Sequence, residues 1–187
     1  MIAIEKIQYN GHEILIFQDE FIYSPRYNDN ICVFHIAYRR YPFGDKNYND
    51  FESIHAAEKE AKQKGSIVLP LYMYDHSGQS ISLNGNVYPY NDRWDAGKVG
   101  FVEVPKKAMI ENFGKKIFTQ SLKQKAIEVA ESEVKEMDSF MRGEVYGYSI
   151  DEVKTECWGF IGDIEYCIED AKKVVDDMIK TETICQT

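Results

Sequence analysis

Residues 67–104, IVLPLYMYDHSGQSISLNGNVYPYNDRWDAGKVGFVEV, constrain what this chain can fold into more than any other stretch. The run 67–74 is apolar on both faces of an extended strand, the pattern of a strand flanked by partners within a sheet. Pro70 has no N–H to give the ladder, so a bulge or an edge register is expected there. DHSGQ turns the chain and SISL is a short return strand. Asn84-Gly85 is a two-residue turn signal, YPYNDRWDAG is a loop, and VGFVEV is a further strand. The stretch therefore predicts a β-meander with one elaborated loop.

The remainder supplies more strands and the helices. IAIEKIQY and HEILIF alternate around Asn10-Gly11, which predicts a hairpin within 1–23. Residues 31–38, ICVFHIAY, have the β-branched and aromatic content of a central strand, with His35 as a hydrogen-bonded core residue. Asp50 can cap a helix over 51–64 with Phe51 and Ile54 facing inward and Gly65 ending it. Pro105 and Gly114 bracket a short helix at 106–113. A long helix over 119–141 turns Leu122, Ala126, Val129, Ala130, Val134, Met137 and Met141 to one side at helical spacing. A second hairpin is expected from 144–150 and 153–160, turned at Asp151-Glu152, and a last helix over 164–180. Strands and helices alternate without a βαβ rhythm. The fold expected is α+β, a mostly antiparallel twisted sheet with three to four helices in a single domain, 1–187, the helical third 119–187 packing on the sheet.

Charge narrows the function classes. The net charge is −9, and residues 123–187 carry 16 Asp/Glu against 8 Lys/Arg. A surface of that sign repels nucleic acid and attracts basic protein surfaces. No run approaches the roughly 18 apolar residues of a membrane span, and the N-terminus lacks the pattern of a signal peptide. A cytoplasmic protein is expected, touching neither membrane nor nucleic acid directly. Cys32, Cys157, Cys167 and Cys185 show no C-x-x-C pair and are expected as free thiols.

No phosphate loop, nucleophile elbow or zinc-ligand spacing occurs, so no cofactor, metal or catalytic residue is expected. Two constellations remain. Asp75-His76-Ser77 and Arg93-Trp94-Asp95 would form a ligand pocket if their loops share one end of the meander. Adjacent Asp-His-Ser is not a catalytic triad, because neighbouring turn residues do not line up in relay geometry. His76 could act as a base only if Asp95 oriented it from across the loops. Alternatively Asp75 and Ser77 simply build the turn and Trp94 caps the core edge. The second constellation is acidic: Glu128, Glu131, Glu133, Glu136 and Asp138 on one helix, and Glu169, Asp170, Asp176 and Asp177 on the other. Such faces are ordinarily solvated; the sharper expectation is a surface that imitates nucleic-acid charge toward a basic host protein.

The strings LPLYMYDHSG, WDAGKVGFVEV and CWGFIG, in that order, resemble a family of proteins from phages and mobile elements of low-GC Gram-positive bacteria. This chain departs from that pattern at 84–92, where the loop before Trp94 is longer. The resemblance carries over no catalytic role. It implies an accessory protein that binds and inhibits host machinery, such as a restriction or CRISPR nuclease. The alternatives are a small ligand-binding or hydrolytic module built on the 75–78 and 93–95 loops, and a structural or assembly protein of a phage particle.

Overall fold

A computed structural model describes residues 2–150 and 155–185, with side chains as far as Thr181. The turn expected at Asp151-Glu152 lies outside the described residues. The elements run, in chain order, β1 (Glu5–Tyr9), β2 (His12–Gln18), β3 (Val33–Ile36), β4 (Lys46–Asn47) and α1 (Phe51–Gln63). Then come β5 (Ile67–Asp75), β6 (Gln79–Ser82), β7 (Ala96–Val104), α2 (Lys106–Asn112) and α3 (Gln120–Met141). Last are β8 (Val145–Ile150), β9 (Thr155–Ile161) and α4 (Ile164–Cys185). The fold is α+β, and its sheets are mostly antiparallel.

The chain divides into two compact units where its sequence suggested one domain: Met1–Tyr23 with Ser139–Thr187, and Ser24–Asp138. The reason is the pairing of the two hairpins from opposite ends of the chain. β2 runs antiparallel to β8, so the termini close a four-stranded sheet, β1-β2-β8-β9, of their own. Consequently α3 and α4 do not form one acidic third: α3 up to Asp138 belongs to the central unit and α4 to the terminal one. The charge divides with them. The terminal unit holds 15 Asp/Glu against 6 Lys/Arg, a net of −9, while the central unit holds 16 of each and is neutral.

In the terminal unit Asn10 (φ 50°) and Gly11 (φ 87°) make the turn of the first hairpin, both with the positive φ that a two-residue turn of this type demands. Alternation then points Ile14, Ile16, Tyr148 and Ile150 to one face of the sheet, where they are buried. α4 covers that face with Cys167, Ile168, Ala171 and Val175, which helical spacing brings to one side. Burial in this core pushes the Cys167 thiol up to about 12, so it remains an inert, protonated core group.

The central unit is a five-stranded sheet ordered β4-β3-β7-β5-β6, with β7 in the middle and only the β3–β4 pair parallel. The β5–β7 register shifts between Leu71 and Tyr72, the bulge that Pro70 foreshadows one residue earlier. Gly100 sits at the tightest point of β7: a Cβ there would lie 1.9 Å from the His35 carbonyl oxygen. Only glycine lets β3 approach that closely. α1 starts at Asp50, whose carboxylate accepts the Ser53 N–H at 2.7 Å, and it buries Ile54 and Ala61 on Phe101. Phe51, read from spacing as inward, is instead exposed. It occupies the first helical position, where the chain has not yet settled onto the sheet.

Two polar networks fix this unit. His35 is buried and stacks on Phe101 at 4.2 Å. Its Nε2 meets Glu103 at 3.0 Å and its Nδ1 meets the Tyr48 hydroxyl at 2.8 Å. A neutral ring donating from Nε2 and accepting at Nδ1 satisfies both partners. Burial lowers the His35 pKa against the pull of Glu103. The second network centres on Arg26, whose side chain is 6% exposed. Its guanidinium donates to Asp45 at 2.7 and 3.2 Å, to Glu133 at 2.8 Å and to the Cys32 carbonyl at 2.7 Å. It also lies 4.0 Å over the Phe34 ring. Glu133 in turn accepts the Ile31 and Cys32 N–H groups, and Asp45 accepts that of Phe34.

Two stability measurements follow. Removing one member of a buried charge network leaves the others uncompensated, at about 3–5 kcal/mol. Arg26→Ala should lower the urea unfolding free energy by that amount, whereas an exposed arginine such as Arg39 should be replaceable at little cost. For His35, the folded chain binds a proton less readily than the unfolded chain. Its contribution is fully present above the ordinary imidazole pKa of about 6.5 and is lost as pH falls from there toward the lower folded value. The urea midpoint of the wild type should therefore drop more steeply below about pH 6.5 than that of His35→Gln, which does not titrate.

Candidate functional site

Asp75 ends β5 and Ala96 begins β7, and Tyr74 pairs with Ala96 in the ladder. The loops that follow and precede them must therefore leave the same end of the central sheet. The Asp75 N–H donates to the Asp95 carbonyl at 2.8 Å, tying the loops at their base. Beyond that bond the His76 Nδ1 lies 3.1 Å from Asp95 Oδ2. The juxtaposition that the sequence could only pose as a condition is thus realised. Asp95 favours the tautomer with its proton on Nδ1, leaving Nε2 to face solvent.

The other members of the constellation divide by role. Asp92 accepts the N–H groups of Trp94 at 2.8 Å and Asp95 at 2.9 Å, and these bonds hold its carboxyl below the usual range. That turn fixes the direction in which Trp94 leaves the backbone. The indole is 85% exposed, with the Arg93 guanidinium 5.7 Å from its ring. Trp94 therefore does not cap the core edge. Ser77 takes φ 56° at the tip of its turn and is exposed, serving chain reversal. Asp75 faces the other way: it accepts the Tyr38 hydroxyl and lies 3.6 Å from Arg40, whose side chain is 82% exposed. Burial and Asp75 hold the Tyr38 phenol above its ordinary range, so it remains a donor.

These groups edge an open cleft of about 530 Å³. Its rim is formed by Tyr38, Arg40, Phe51, Asp75, Trp94 and Asp95, over a floor that includes Met73 and Val99. Tyr38, Arg40 and Phe51 were not evident from the sequence. Tyr38 and Arg40 arrive because β3 lies beside β7, which brings the end of β3 next to the start of β7, and Phe51 comes from the first position of α1. Outside the cleft, the exposed Tyr88 lies by Tyr74, whose phenol is raised by desolvation and by Tyr88, and Tyr74 lies 6.2 Å from His76. Among the described residues no His/Cys/Asp/Glu group is arranged to hold a metal ion, and no helix is long and apolar enough to cross a membrane.

The acidic candidates fare differently. Glu133 is consumed by Arg26, and Asp138 accepts the Ser80 hydroxyl and the Ile81 N–H at 2.8 and 2.7 Å. Asp170 accepts the Tyr148 hydroxyl, and Asp176 accepts Tyr9 and Asn10. Glu136 is half-buried, and burial beside Glu133 raises its carboxyl. Asp177 is exposed but paired with Lys180 at 2.8 Å. Glu128, Glu131 and Glu169 are left as exposed carboxylates. The helical spacing of these acids was legible, but which of them fold inward to serve as hydrogen-bond acceptors depends on distant partners.

Comparison with known proteins yields no match to a family model, a curated protein or a solved structure.

Because the Trp94 indole makes so little contact with the fold, Trp94→Ala should leave the unfolding free energy within about 0.5 kcal/mol of wild type. A larger loss in urea denaturation would assign the indole a structural role.

Proposed function

We propose that this chain is a cytoplasmic accessory protein of a phage or mobile element that binds and inhibits a host protein through the cleft at the end of its central sheet. Trp94 carries the reading. A tryptophan left 85% exposed contributes little to folding, yet here Asp92 fixes its backbone on the rim of a cleft shared with Arg40 and Phe51. Tryptophan, tyrosine and arginine supply most of the binding energy at protein interfaces. A small-molecule site encloses its ligand, whereas Trp94 and Arg40 stand out into solvent and suit a partner large enough to cover them. Two of the strings that resemble phage and mobile-element proteins, LPLYMYDHSG and WDAGKVGFVEV, supply walls of this cleft. The excess charge of −9 in the terminal unit supports a basic partner, such as a host defence nuclease. Charge of this kind speeds encounter more than it sets affinity. Imitation of nucleic acid by the helices themselves is less well supported, because Glu133, Asp138, Asp170 and Asp176 are used internally.

The test is capture of host nucleases by wild type, Trp94→Ala and Glu128→Lys/Glu131→Lys, followed by affinity measurement on the purified pair. Loss of a hot-spot tryptophan costs at least about 2 kcal/mol, roughly thirtyfold in Kd. Wild-type binding that Trp94→Ala weakens by that factor, and the lysine variant weakens far less, supports the cleft. The reverse ranking overturns it in favour of the acidic face.

The His76–Asp95 contact favours one second reading, a ligand-binding or hydrolytic module in which the oriented imidazole accepts a proton. A small ligand whose thermal-shift signal disappears in both His76→Ala and Asp95→Ala would support it.

A further inference from the structure

The neutral balance of the central unit conceals a local excess of positive charge. Between residues 106 and 127 the chain carries six lysines, Lys106, Lys107, Lys115, Lys116, Lys123 and Lys125, and a single acid, Glu111. All six are exposed. They lie on one helical corner: α2, the turn that leaves it and the first two turns of α3. Thr119 caps α3 by accepting the Leu122 N–H at 3.3 Å, and Lys125 lies 5.3 Å from the Phe113 ring, which ties the two helices together. Among the described residues Lys107 is the one lysine of this corner with an internal carboxylate, Glu111 at 3.7 Å. Elsewhere on the unit three lysines are neutralised locally: Lys62 and Lys98 share Glu58, and Lys64 pairs with Glu60. A fold gains nothing by gathering unpaired lysines, since they repel one another. The α3 N-terminus adds its partial positive charge to the same place.

We propose that this corner binds the phosphate backbone of a double-stranded nucleic acid, independently of the cleft at the sheet end. The side chains between the lysines select this partner. Gln120, Ser121 and Gln124 are exposed on the first turns of α3 and can hydrogen-bond phosphate, sugar and base-edge oxygens. An anionic membrane would instead need an apolar foot, and Ile117 is the one large exposed aliphatic side chain of the corner. A single strand would need exposed aromatic rings for base stacking. The corner's aromatics are Phe113, half-buried under Lys125, and Phe118, also half-buried.

The experiment is fluorescence anisotropy of the full chain with a labelled 20-base-pair duplex over a salt series. Each neutralised phosphate contributes about −0.9 to the slope of log K against log salt, so use of four to six lysines predicts a slope of about −4 to −5. At physiological salt the affinity expected of such contacts is about 10⁻⁴–10⁻⁶ M. Lys115→Glu/Lys116→Glu should weaken binding at least tenfold and flatten the slope by about 2. Lys173→Glu/Lys180→Glu, the same charge change on the terminal unit, should weaken it by less than threefold. Circular dichroism of both variants checks that the fold is kept. Absence of salt-dependent duplex binding overturns the proposal. So does equal weakening by both variants, which would reduce the effect to net charge. Binding to phosphatidylserine vesicles in preference to the duplex also overturns it and assigns the corner to membranes.

Discussion

The guanidinium of Arg26 joins three segments that the chain keeps far apart. It reaches Asp45 in the loop before β4, Glu133 in the middle of α3, and its own following loop through the Cys32 carbonyl. A planar fork with five donors can serve all three at once, which the point charge of a lysine cannot. The carboxylates repeat the device in reverse: Glu133 and Asp45 each accept backbone N–H groups at the entry to β3. A loop rich in Pro, Asn and Asp thereby becomes as fixed as a strand. β3 then starts in a defined register on β7, and everything at the far end of β7 inherits it. The cleft is such an inheritance. Arg40 and Tyr38 face Asp75 because β3 is held where Gly100 lets it come close.

This dependence explains which parts of the molecule could be read from residues alone. Local chemistry sufficed for the Asn10-Gly11 turn, the Asp50 cap, the Pro70 bulge and the long amphipathic helices, because each rests on neighbours within a few residues. Pairing between distant segments did not announce itself. Alternation in β2 says that it has a buried face, and nothing in it says that its partner is β8, more than a hundred residues away. The two-unit division follows from that pairing, so it was not legible either. The same limit applies to charge. Glu128 and Glu133 look alike on a helical wheel, yet Glu128 is solvated and Glu133 is the partner of Arg26.

In the cleft, the sequence placed Asp75, His76, Trp94 and Asp95 in two loops, and the ladder between β5 and β7 brought those loops together. Of the two places it offered the indole, the cap on the core edge is excluded. Size and apolarity argue for burial of any tryptophan, and that argument fails where the backbone turns the side chain away. Here Asp92 does so by accepting two successive N–H groups, which favours a tight turn over a chain that could fold the ring back on the sheet.

Exposure on a rigid base is what binding sites require and what stable folds otherwise avoid. An aromatic held in place before association loses little side-chain freedom when a partner arrives, so more of its burial appears as affinity. Flexible carboxylates on a solvated helix are the opposite case, because they attract at a distance and surrender hydration on contact. The chain separates these tasks. Its terminal unit concentrates negative charge, while its neutral central unit offers exposed aromatic groups at one sheet end and a cluster of lysines on one helical corner. A net charge of −9 spread evenly would oppose any anionic ligand; here the lysine-rich segment 106–125 belongs to the neutral unit, and with a Debye length of about 8 Å in physiological salt its charges act locally.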